Sequence, residues 1–174
     1  NFFNFFLSKE TLAISLADLG FFSDALVCYD ELEVFHSERK LILSQDNVEF
    51  ASILPSDNYI SGTDIDSVNW KKFRQLIHQS QISLYEFQIY IFSRQLYLLL
   101  EIKDIAQILD RLKTFVCYFS AFNSVEEQIK IQWKFESYRF VLDRIKLDVC
   151  VSELARGPSL FLVDILFSMT SVYL

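Results

Sequence analysis

Glycine, proline and histidine are scarce in this chain, and their scarcity narrows both the fold and the chemistry. Three Gly (Gly20, Gly62, Gly157) and two Pro among 174 residues leave few positions for left-handed turns or helix breaks, which favours long helices over many short strands. Glycines so far apart cannot form the backbone cradle that holds a phosphate in a nucleotide loop. His36 and His78 are the two histidines, too few and too distant for a His-based dyad or a zinc site. Cys28, Cys117 and Cys150 form no CxxC pair and each falls in an apolar helical pattern. We expect three small buried thiols in a reducing compartment, with no disulfide or metal framework. GxSxG and HExxH are absent too, so no catalytic residue, cofactor or metal ligand is assigned, and we expect a protein that is not an enzyme.

A bilayer-length apolar run is also missing. The most apolar stretch, LFLVDILFSMTSVYL, has 15 residues and contains Asp164, short of the ~20 needed to cross a membrane. The opening NFFNFFL has neither a basic n-region nor a small-residue cleavage site, unlike a signal peptide. No Met opens the chain, and we expect a piece of a larger protein.

What is abundant is material for a core. Hydrophobic residues make up 52% of the chain and aromatic residues 16%, with 18 Phe; a domain of this size hides roughly 70% of the surface its unfolded form exposes. Charge is unevenly spread. Residues 1–69 carry 12 acids against Lys9, Arg39 and Lys40, a net −9, while residues 70–174 carry 13 bases against 11 acids, a net +2, giving the chain its −7. Nucleic acid requires a concentrated positive footprint, so the acidic first third argues against that partner. It could attract a basic partner, with Asp24 and Glu33 the candidate contacts, or form a solvated surface.

The apolar spacing predicts an all-α fold of antiparallel hairpins. Phe5, Leu12, Leu16 and Leu19 lie near one stripe of a helix over 4–19, ended by Gly20 in the left-handed position that closes helices. Ala25, Cys28, Tyr29, Leu32 and Phe35 recur at three- and four-residue steps in the next helix, completing a hairpin over 1–36. Residues 37–66 lose the period and collect Ser, Asn, Asp, Pro55 and Gly62, with the apolar patch Phe50–Leu54 inside; they read as a long connection or insertion. A helical stack follows over 67–174. Pattern resumes at Trp70, Phe73, Leu76 and Ile77, and Ser83-Leu84-Tyr85-Glu86 and Ser124-Val125-Glu126-Glu127 fit the capping box, opening helices to about Ile102 and Val149. A further helix lies at 103–122, and Gly157-Pro158-Ser159 begins the last element.

Within the helix over 83–102, YIFSRQLYLLL sets Arg94 in an almost wholly apolar run. A helix apolar on every side packs between neighbours, and Phe87, Tyr90, Ile91, Tyr97 and Leu98 read as its core contacts. Arg94 must then snorkel to an edge or bond an acid or a helix-end carbonyl, and Asp30 and Glu31 are the first candidates.

The segment LGFFSDALVCYDELEVF is similar to half of a tetratricopeptide-like repeat, with Gly20 at the turn and Ala25 and Tyr29 as its small and aromatic packing positions. No second copy recurs at a fixed period, so an irregular α-solenoid fits better than a regular array. DALVCYDEL (24–32) and YIFSRQLYLLL (90–100), in that order and separated by an insertion and NWKKFRQLI, resemble the α-solenoid part of the TRAPP II large-subunit family, subunit ten, over most of residues 5–120. That resemblance implies a cytoplasmic scaffold arm, peripheral to Golgi or endosomal membranes, in a vesicle-tethering complex that supports guanine-nucleotide exchange on Rab GTPases. The implied partners are the small core subunits, which would hold the exchange chemistry, the second large subunit, and a Rab reached through the complex. The alternative is a stand-alone helical-repeat adaptor that binds a peptide or partner helix.

Overall fold

The computed structural model describes residues 2–42, 69–120 and 127–148, and all regular structure among them is helical. Among the described residues six helices run in order: α1 Phe2–Asp18, α2 Phe22–Ile42, α3 Trp70–His78, α4 Leu84–Ile102, α5 Ile105–Ser120 and α6 Glu127–Asp148. The all-α expectation holds, and the hairpin arrangement is consistent with an irregular solenoid. The chain divides into two compact units, with α1–α4 in the first and α5 and α6 in the second. Residues 43–68, with the patch Phe50–Leu54, Ser124 with its capping box, and the last element after Gly157 lie outside the described residues.

In the first unit, α1 and α2 form an antiparallel pair. Phe35, in the second half of α2, stacks 5.9 Å from Phe2 and lies 5.0 Å from Phe5, and Lys9 pairs with Glu31. Gly20 sits at φ +83° between the helices. Phe21 N–H donates to Leu16 O and Gly20 N–H to Ala17 O, each at 2.9 Å, the two bonds of a Schellman ending. A Cβ on Gly20 would meet nothing within 4 Å, so the position selects glycine through its backbone alone. Past Phe35, α2 continues through Ile42, where the sequence pattern predicts the long connection. Glu38, Arg39 and Lys40 are good helix formers that carry no apolar stripe, so the helix outlasts its hydrophobic period.

The stripe that α1 buries is not the one its leucines suggest. Phe2, Phe3, Phe6, Glu10 and Ala13 are buried, whereas Phe5, Leu12 and Leu19 are 47%, 53% and 72% exposed. Positions 2, 6, 10 and 13 hold the helical interval, but an acid in the third place conceals it from a hydrophobicity count.

α4 is buried along most of its length, with Phe87, Tyr90, Ile91, Leu98 and Leu99 almost fully enclosed. It begins as the capping box predicts: Glu86 N–H donates to Ser83 Oγ at 3.2 Å and Ser83 N–H to Glu86 Oε2 at 3.0 Å. Phe2, Phe3 and Phe6 meet Phe87 with ring centroids 5.8, 6.3 and 5.0 Å apart, so aromatic packing joins α1 to α4. Tyr97, expected in the core, is 41% exposed and its ring lies T-shaped to that of Trp70, centroids 5.7 Å apart. Its amphipathic ring covers Trp70 at the rim.

α3 is held at both ends by local hydrogen bonds. Asn69 caps its start, accepting from Lys72 N–H at 3.0 Å. Its end repeats the bonding after α1, with Gln81 N–H to Leu76 O and Ser80 N–H to Ile77 O, but Ser80 takes the left-handed φ of 55° where α1 uses glycine.

In the second unit α5 packs against α6. Asp104 caps α5 through Gln107 N–H at 3.0 Å, and the Gln107 side chain donates back at 2.8 Å. Ile108, Leu109, Leu112, Phe115 and Val116 are buried on α5, and Ser137, Val141 and Ile145 on α6. Cys28 is a buried free thiol as expected, but Cys117 is exposed, one position past the Phe115–Val116 stripe; Cys150 lies outside the described residues.

Candidate functional site

The densest polar chemistry among the described residues lies where α1, α2, α3 and α4 converge. Arg94, half-buried on α4, donates from Nε to Tyr29 Oη on α2 at 2.8 Å. The same guanidinium lies 4.4 Å over the Trp70 ring of α3 and 5.6 Å from the Tyr29 ring. A planar, weakly hydrated cation suits this aromatic slot. The expected partners Asp30 and Glu31 are engaged elsewhere: Gln95 Nε2 donates to Asp30 Oδ1 at 3.1 Å and to Glu33 Oε2 at 2.8 Å, and Glu31 pairs with Lys9. Successive helical residues point apart, so the acids next to Tyr29 cannot share its direction toward Arg94.

Trp70 continues the chain of contacts. Its Nε1–H donates to Ser93 Oγ at 3.1 Å, and Ser93 Oγ–H donates to the Tyr90 carbonyl at 2.8 Å. The Tyr90 hydroxyl donates to Glu10 Oε1, and Arg74 Nε lies 3.1 Å from Glu10 Oε2. Arg74 Nη2 also reaches Thr11 Oγ1 at 2.7 Å, fixing α3 to α1.

Glu10 has 0% exposure. Burial pushes its carboxyl above the ordinary value of 4.5, opposed by the Tyr90 hydrogen bond and by the charges of Arg74 and Arg94. Burial also pushes the Tyr29 hydroxyl up to about 12, against the pull of Arg94. Tyr90 moves in the same direction through burial and the adjoining Glu10 carboxylate, so both phenols remain neutral, Tyr90 donating to Glu10 and Tyr29 accepting from Arg94. A carboxylate enclosed this fully reaches no substrate, and its neighbours use their polar atoms on each other. The arrangement fixes helices; it does not present a nucleophile or acid to solvent.

The sequence-predicted residues divide among three places. Tyr29 and Arg94 meet in the network, Asp30 and Glu33 accept from Gln95, and Glu31 lies on the outer rim with Lys9. Gly20 shapes the turn and Ala25 is fully buried beneath it. Asp24 is exposed and Glu33 is half-buried. Sequence reasoning missed Glu10, whose only signal is the interval linking Phe6, Glu10 and Ala13 on α1, and Arg74 on α3, which that interval does not reach. No group of three His, Cys, Asp or Glu among the described residues could hold a metal, and none of the described helices is long and apolar enough to cross a membrane.

The chain is 29% identical over 139 residues to trafficking protein particle complex subunit 10 of Dictyostelium discoideum. To the subunit of the same name in Drosophila melanogaster it is 33% identical over 135 residues, 72% of this chain. The chain is a homologue of the subunit 10 family of trafficking protein particle complexes. A third relative, the trafficking protein particle complex II-specific subunit 130 homolog of Oryza sativa subsp. japonica, is 29% identical over 127 residues, 73% of this chain. The Dictyostelium match covers 77% of the chain, and the resemblance carried by residues 24–32 and 90–100 is borne out. Against these large subunits the chain is short, spanning 10%, 11% and 10% of their respective lengths. No family model and no solved structure matches it.

Proposed function

We propose that this chain is a non-catalytic scaffold segment of a TRAPP II-type vesicle-tethering complex. In that role it supports Rab guanine-nucleotide exchange in Golgi and endosomal trafficking by holding the catalytic core and the GTPase in position. The observation that carries the proposal is the similarity to subunits named for that particle across most of the chain. The helical packing agrees with it. α4 is clasped by α1, α2 and α3 through aromatic and charged contacts, and the ionisable groups of that junction are consumed in fixing helix positions, as a rigid support requires. Its partners are the small core subunits and the second large subunit, with the Rab and the cytoplasmic face of the membrane reached through the complex.

Cross-linking mass spectrometry on the endogenous complex tests the proposal. Lys71, Lys72 and Lys103 are exposed and should link to small core subunits. Reproducible recovery of other partners, with no core subunit among them, overturns the scaffold role. Exchange on a Rab by the isolated chain overturns its non-catalytic part.

A further inference from the structure

The α1–α2 hairpin leaves an apolar surface uncovered. Phe5 and Leu12 on α1, Leu19 and Phe21 in the turn and Val27 and Val34 on α2 are each 47–72% exposed. These residues recur every seven positions, 5 and 12 on α1 with 19 just past its end, and 27 and 34 on α2, an interval that returns to one face of a helix. They avoid the buried stripes, so they occupy the side of the hairpin turned away from its core. The antiparallel register, set by Lys9 with Glu31 and Phe5 with Phe35, brings Leu12 level with Val27 and Phe5 level with Val34. With Leu19 and Phe21 at the turn they make three apolar rungs, one heptad apart and together spanning two heptads, about 21 Å at 1.5 Å per residue.

Charge selects what can lie on them. Residues 1–35 contain six acids and one base, Lys9, and Lys9 is held by Glu31. Asp18 adjoins Leu19, and along α2 the order Asp24, Val27, Glu31, Val34 alternates acid and valine at steps of three and four, with both acids exposed. With Glu31 neutralised by Lys9, the exposed Asp18 and Asp24 leave this face net negative, so an acidic partner would meet like charge there whereas a basic one is attracted.

We propose that the outer face of the α1–α2 hairpin docks an amphipathic helix that sets an apolar heptad seam on these rungs and flanks it with Lys or Arg. The inference stands on the exposed residues and their charges, and does not rest on the trafficking role.

The probe is a fluorescein-labelled synthetic peptide of three heptads with Leu at a and d and Lys at e and g, titrated against the full chain by fluorescence anisotropy. A second peptide carries Glu at e and g. The Lys peptide should bind, with affinity falling as salt rises. The Leu12→Ser/Val27→Ser double variant should weaken it by about tenfold or more, and the Glu peptide should bind weaker by a similar factor. Both substitutions are at exposed positions, and a circular-dichroism melt matching the parent chain establishes that the variant is folded. Equal binding of the two peptides, or binding indifferent to the double substitution, overturns the proposal. Concentration-dependent self-association in sedimentation, abolished by the same double variant, also overturns it by assigning the face to a second copy of this chain.

Discussion

The two faces of α1 invert the usual assignment of residues. Its inner face encloses an acid, Glu10, at 0% exposure, while its outer face leaves Leu12 at 53% and, just past the helix end, Leu19 at 72%. Polarity alone would exchange them. The inner position is tolerated because α4 and α3 supply complementary groups from two directions, the Tyr90 hydroxyl to one carboxylate oxygen and Arg74 to the other, so the desolvated carboxylate retains partners. The outer leucines meet no equivalent neighbour among the described helices. Burial along α1 follows where other helices lie, and side-chain chemistry is then matched to that geometry.

Truncation should separate the faces most sharply. Phe6 is fully buried and its ring meets Phe87 at 5.0 Å and Tyr90 at 6.4 Å. Phe6→Ala should therefore cost about 3–5 kcal/mol in urea denaturation, through lost transfer energy and the cavity left among these rings. A smaller loss should follow when the polar half of the inner face is broken. Tyr90→Phe keeps the ring and deletes the donor to Glu10, and a hydrogen bond to a charged group of this kind is worth about 2 kcal/mol. A variant as stable as the parent would mean that Glu10 draws its support from Arg74 alone.

Much of this was legible in the residues, and the failures have physical causes. Helix positions followed from apolar spacing, the Ser83 box and the Gly20 ending, because each depends on local chemistry written within a few positions. The Ser80 ending was invisible because a serine at positive φ carries none of glycine's signal. Arg94 was recognisable as out of place, since a guanidinium in an apolar run must find partners. Those partners, Tyr29 and Trp70, lie 65 and 24 positions away, and the choice between Tyr29 and its neighbours Asp30 and Glu31 depends on helix rotation. Glu10 escaped for the opposite reason: an acid beside Lys9 and Thr11 reads as a wet surface, and only the assembled helices reveal Tyr90 above it.

The pH dependence of stability should distinguish the faces with a smaller effect. Glu10 titrates above its ordinary 4.5 because it is buried. Between that value and its folded one the native state therefore holds more protons than the unfolded state, and stability falls as pH rises through this window. Lowering the pH toward 4.5 should raise the denaturation midpoint, with no further gain from this group below it. Glu10→Gln should remove the slope, while Tyr90→Phe, by deleting a bond that stabilises the carboxylate, should steepen it. A Glu10→Gln chain that keeps the parent's slope would place the titration in another group.

The outer face should yield the least. Leu12→Ser alone removes an apolar side chain that is already 53% exposed, and surface changes of this kind alter stability by about 0.5 kcal/mol or less. Its melting curve should overlay that of the parent chain, in contrast to Phe6→Ala on the opposite side of the same helix. A loss approaching that of Phe6→Ala would mean that Leu12 is covered in solution, and the contrast between the two faces would collapse into a single buried helix. Near-neutral stability leaves the residue free to serve an interface, where its removal is felt only when the partner is present.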